Sequence, residues 1–127
     1  MKLAFYGSCA GLTPDQMSNQ RYQVTDLSTS PLSFSDDISE LKRSNNGNPP
    51  DAFICYGHTS EECMAGIEDA CAEHNVPLIL CSSKTDETRL KKLAGDLGAG
   101  YLRRRSLERL TPHAALIMIR DQALKAA

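Results

Sequence analysis

Two uninterrupted apolar runs, Ala52-Phe53-Ile54-Cys55-Tyr56 and Val76-Pro77-Leu78-Ile79-Leu80-Cys81, each precede a segment whose apolar residues recur at helical spacing. A strand without polar alternation is buried on both faces, and such strands belong to parallel sheets whose crossovers are helices. This pairing of buried strand and amphipathic helix constrains the fold more than any other feature. It calls for layers, because a parallel sheet has to be covered on both sides. A chain of 127 residues suits one such domain, spanning residues 1–127.

The remaining segments keep the same rhythm. Leu3-Ala4-Phe5-Tyr6 reads as a first strand that opens into a loop at Gly7-Ser8. Thr13-Pro14 has the form of an N-cap followed by proline at the first helical position, and starts a helix of one or two turns. Residues 22–27 read as a second strand, and residues 33–37 supply caps for a short helix carrying Ile38 and Leu41. The Asn45-to-Pro50 stretch is a loop. Thr59 and Glu62 have the spacing of a capping box before a helix with Cys63, Ile67, Ala70 and Cys71 on one side. Leu90, Leu93, Ala94 and Leu97 form one apolar helix face, which Gly98 is placed to end. Tyr101-Leu102 starts a fifth strand, and Thr111-Pro112 caps a last helix carrying Leu116, Ile117 and Ile119 toward Leu124. Strict alternation of five strands and five helices predicts a flavodoxin-like three-layer α/β/α sandwich. Its five-stranded parallel sheet should have the order 2-1-3-4-5.

Composition narrows the function classes. A net charge of −2 provides no global field for nucleic acid or an anionic membrane surface. No apolar run approaches the roughly 20 residues of a membrane helix, and nothing at Met1 resembles a signal peptide, so the cytoplasm is the expected compartment. Five cysteines, an odd number without close CxxC spacing, read as reduced thiols packing as small hydrophobes. Neither a metal nor a cofactor is expected.

Three motifs in order carry a family resemblance. They are Pro50-Asp51-Ala52-Phe53-Ile54-Cys55-Tyr56, then Asn75-Val76-Pro77-Leu78-Ile79-Leu80-Cys81-Ser82-Ser83, then Leu97-Gly98-Ala99-Gly100-Tyr101-Leu102-Arg103-Arg104-Arg105-Ser106-Leu107. Residues 50–110 thereby resemble the second half of a bacterial response-regulator receiver domain (CheY-like). The first half agrees only in layout. The resemblance implies a cation held on acidic residues after the first strand, an aspartate phosphorylated after the third, and a lysine contacting the phosphoryl group. At those positions stand Gly7 and Ser8, Tyr56, and Arg104. Magnesium needs hard oxygen ligands, and a phenol of pKa near 10 is no substitute for a carboxylate nucleophile. The aspartyl phosphorylation cycle is therefore expected to be lost, with no enzymatic activity. Ser82 stands at the family's switch hydroxyl and Tyr101 at its rotating aromatic.

A degenerate receiver of this kind, a pseudo-receiver, implies a regulatory module that binds a protein partner without phosphorylation. The face the family uses lies on the helix near Leu90, the fifth strand and the last helix. On it fall Lys91, Lys92, Asp96, Arg103 and Arg105, a mixed-charge patch suited to a partner or a homodimer. A regulatory domain belonging to a longer chain is a variant of the same reading.

Competing constellations are weaker. Arg103-Arg104-Arg105, with Arg109 nearby, could receive a phosphate or an acidic surface, although a solvated strand end is the plainer explanation. Gly7-Ser8-Cys9-Ala10-Gly11-Leu12-Thr13 resembles the phosphocysteine loop of sugar-phosphotransferase B components. A thiol before a helix N-terminus has a lowered pKa, so Cys9 is the alternative as a phosphotransfer or thiol nucleophile. His58 follows the third strand at the same sheet edge, while His74 and His113 suggest no chemistry.

Overall fold

The computed structural model describes residues 2–7, 23–56, 60–82, 85–103, 106 and 111–126. Five strands form one sheet: β1 (Lys2–Tyr6), β2 (Gln23–Asp26), β3 (Ala52–Tyr56), β4 (Leu78–Ser82) and β5 (Gly100–Arg103). Every neighbouring pair is parallel and the order is β2-β1-β3-β4-β5. Four helices accompany them among the described residues: α1 (Phe34–Ser44), α2 (Glu61–His74), α3 (Glu87–Leu97) and α4 (Pro112–Ala126). The fold is flavodoxin-like α/β, as the alternating pattern predicts. The helix expected after Thr13-Pro14 lies outside the described residues.

The central strands are buried along their whole length, and their side chains alternate between two cores. On one face, Leu3, Phe5, Ile54, Ile79 and Leu102 pack against Ala115, Leu116 and Ile119 of α4. On the other, Ala4, Phe53, Cys55, Leu78 and Leu80 meet Ile38 of α1, Ile67 of α2 and Leu90 of α3. Each large aliphatic side chain so buried contributes roughly 1.5–3 kcal/mol. β2 sits at the sheet edge and is largely exposed, which explains its weaker apolar signal.

Several boundaries differ from the sequence reading, each for a local reason. Ser60, one residue after Thr59, is the N-cap of α2, and its Oγ accepts the Cys63 N–H at 3.2 Å. Glu62 therefore sits at the second helical position, and the capping box does not form. Val76 joins the cap at the other end of α2, because its N–H donates to Cys71 O at 2.9 Å after Asn75 turns left-handed (φ 56°). Pro77 has no N–H to give a ladder, so β4 begins at Leu78. Leu97 ends α3 beyond the sheet and is 42% exposed, whereas Leu90 and Ala94 are buried. Ala115 and Ala123 rather than Ile117 and Leu124 complete the inner face of α4, and Leu124 is 71% exposed. Gly98 caps α3 as expected, at φ 67°.

Candidate functional site at the carboxyl edge of the sheet

Parallel strands deliver their chain ends to one edge, where sites of α/β sheets form. There, Gly7 leaves β1 at φ +99°, a conformation costly for any other residue. Its N–H donates to Ser28 Oγ at 2.9 Å, and the Ser28 hydroxyl donates back to Gly7 O at 3.3 Å. Ser28 is itself set by an Asx turn in which its N–H donates to Asp26 Oδ1 at 2.9 Å. A Cβ on residue 7 would stand 3.0 Å from Tyr56 Cβ. Gly7 is thus bolted to Ser28 and pressed against β3.

Tyr56 does not project into this edge. It is 1% exposed and lies in the core beneath α4, with its ring edge-on to Phe5 at 5.1 Å. The receiver family's divalent cation requires a pair of carboxylates that residue 7 cannot carry, so the described residues do not fit that ion. Ser8 and Arg104, the other expected members of the phosphorylation-site set, lie outside the described residues, as do Cys9 and His58. Among the described residues no group of three or more His, Cys, Asp or Glu is arranged to hold a metal.

The two expected switch residues do meet. Ser82, 2% exposed at the end of β4, has its Oγ 2.8 Å from Tyr101 OH. The phenol donates to the carbonyl of Glu87 at 3.3 Å, so the serine hydroxyl is the donor in the shorter bond. The Tyr101 backbone N–H donates to Gln122 Oε1 of α4 at 3.2 Å. Tyr101 therefore ties β5 to β4, to the start of α3 and to α4. Glu87 adds a second tie, its carboxylate pairing with Arg103 of β5 at 3.3 Å.

The proposed partner patch is divided. Lys91 and Lys92 line a shallow depression of about 590 Å³ with Thr85, Glu87 and Thr88. Arg103 adjoins it through Glu87. Asp96 instead lines the cleft that α3 shares with α2. Arg105 lies outside the described residues.

Two titratable groups near this edge were not singled out by sequence. Cys63 is only half-buried, unlike Cys55, Cys71 and Cys81. Hydrogen bonding by Ser60 and by Tyr6, whose OH lies 3.5 Å from its Sγ, holds the Cys63 thiol below its ordinary pKa. The same bond to Cys63 raises Tyr6. Asp37 of α1 is 5% exposed; Ser30 Oγ donates to its Oδ1 at 2.6 Å, while Oδ2 has no hydrogen-bond partner among the described residues. Burial pushes its carboxyl above the usual 3.8. No spacing rule marks either residue, since each depends on what the fold brings alongside.

His74 gains a neighbour without gaining a role in catalysis. Ser35 donates its proton to Glu73 Oε2 at 2.7 Å, so its 3.1 Å contact with His74 Nε2 is one in which the histidine donates. A serine whose proton points at a carboxylate is not poised as a nucleophile for that imidazole.

No helix among the described residues is long and apolar enough to cross a membrane. Comparison with protein-family models, curated proteins and solved structures gave no match, so what this chain is similar to rests on the topology and residues described above.

Proposed function

We propose that the chain is a receiver-like regulatory module that works by binding a protein partner, without aspartyl phosphorylation. The observation that carries this reading is the pairing of a closed acceptor edge with a connected readout. A side chain at Gly7 is disfavoured by its φ of +99° and by Tyr56 Cβ, which would lie 3.0 Å from a Cβ there, and Tyr56 is turned into the core. Against that, the Ser82–Tyr101 hydrogen bond couples the end of β4 to the α3–β5–α4 surface. Lys91, Lys92 and Arg103 on that surface supply the charged contacts for a partner. The cytoplasm is the compartment this role implies.

Amide-shift titration with magnesium and beryllofluoride, an acyl-phosphate mimic, tests the reading. Unchanged resonances at Gly7, Tyr56 and Ser82 are the expected result. Saturable shifts spreading from these residues to Tyr101 would overturn it.

A further inference from the structure

The facing surfaces of α2 and α3 border an open cleft of about 390 Å³. Met64, Ala65 and Leu93 give it an apolar floor. Its walls have opposite signs: Glu61 and Glu68 on α2, Arg89 and Lys92 on α3, with Asp96 closing the lower end of the α3 wall. None of these five charged side chains has an ion-pair partner among the described residues. No ion pair spans the cleft among the described residues, which leaves an acidic and a basic stripe beside an apolar strip.

We propose that this cleft is a self-association surface on which a second copy of the chain docks about a two-fold axis running along the cleft. The argument is one of symmetry and sign. A two-fold interface brings the same patch against itself. An axis along the cleft lays the α2 wall of each copy on the α3 wall of the other, acid on base. An axis across the cleft would lay α2 on α2, acid on acid, and is repelled.

The levels agree at the start of the two helices. Both helices start at the same edge of the sheet, because β3 and β4 run parallel in register, Tyr56 beside Cys81. Glu61 is the first residue of α2 and Arg89 the third of α3; Glu68 is the eighth, between Lys92 at the sixth and Asp96 at the tenth. An axis along the cleft preserves height, so Glu61 meets the Arg89 of the second copy, while Glu68 falls midway between its Lys92 and its Asp96. Four parallel helices then enclose Met64, Ala65 and Leu93 from each copy, as in a bundle core. Lys92 is common to this cleft and to the depression on the α3–β5–α4 face, so self-association draws on one of the charges proposed for a partner.

The test is a charge-swap pair read by sedimentation velocity over a dilution series of the full chain. The wild type should shift from dimer to monomer on dilution, and at lower concentration in low salt than in high salt. The double variant E61K/E68K makes both walls basic, and R89E/K92E makes both acidic. Each alone should be monomeric while keeping wild-type circular dichroism. Mixed in equal amounts, they should restore the dimer, since every basic wall then meets an acidic one. Concentration-dependent amide shifts should centre on Ala65 and Leu93. A wild type that stays monomeric throughout overturns the proposal and leaves the cleft to a different chain. So does a dimer that persists in both variants, which would place the interface elsewhere.

Discussion

At Gly7 the backbone conformation and the nearest side chain act together. A non-glycine residue at φ +99° costs about 1–3 kcal/mol, and the 3.0 Å approach to Tyr56 adds to that. Gly7→Ala should lower the urea midpoint by an amount corresponding to about 2 kcal/mol or more, with the slope unchanged. Asp37 supplies a pH dependence of the opposite sense to most carboxylates. Its native pKa is raised by burial, so the folded state holds the proton more tightly than the unfolded chain. The stabilising effect is complete below the ordinary value of 3.8 and is lost as pH rises through the raised native value. Stability measured against pH should therefore fall across that window in the wild type, and Asp37→Asn should remove that fall. For the thiols, the order of alkylation should follow their environments. Cys63, held low by Ser60 and Tyr6, should react before Cys55, Cys81 and Cys71 in peptide mapping, and burial, which pushes Cys71 up to about 12, should make it last. Ser60→Ala should slow Cys63.

Between elements, the chief device is the hydrogen-bonded set around Tyr101. Its hydroxyl serves Ser82 and the Glu87 carbonyl, and its N–H is taken by Gln122. Tyr101→Phe leaves the buried Ser82 hydroxyl without this partner, and should cost about 1–3 kcal/mol. Ser82→Ala in that background should cost little more, because the two side chains act as a unit; chemical denaturation of the four members of the cycle reads the coupling. The sequence pattern singled out these two residues, which the structure brings into contact, but not the rest of the set. Ser82 follows one recognisable apolar run and Tyr101 begins another short one, so position along the chain sufficed. Glu87 and Gln122 enter through a backbone carbonyl and a side chain reaching from α4, neither of which leaves a mark in the sequence. Ser28 was hidden for the same reason, since only the parallel pairing of β1 with β2 brings it to Gly7. Helix ends were misjudged by one or two residues where two capping residues adjoin, as at Thr59 and Ser60.

For the whole molecule, the sheet separates two cores that share no side chain. Ile67 stands fully buried on the α1–α2–α3 side and Leu116 fully buried on the α4 side. Truncation to alanine at either should cost about 2–5 kcal/mol. The two losses should add to within about 0.5 kcal/mol, since the sites have no common neighbour. The order β2-β1-β3-β4-β5 was legible because buried strands and amphipathic helices announce themselves by period, and a parallel sheet admits few arrangements. Surface function was far less legible. Lys91, Lys92, Asp96 and Arg103 were grouped as one face, yet the turn of α3 sends Asp96 to the cleft with α2 and leaves Arg103 paired with Glu87.

The bolted loop at Gly7 also bears on how such a chain can change over generations. Any residue at position 56 other than glycine keeps a Cβ, so replacing Tyr56 alone does not free space at position 7. A charged side chain there requires the end of β1 to shift first, and Ser28 holds that backbone by two hydrogen bonds. A change in the segment after β2 that releases this backbone would ease the entry of an acid at residue 7. The strain at residue 7 and the hold of Ser28 on it are therefore coupled, so substitutions at the two positions should not be independent.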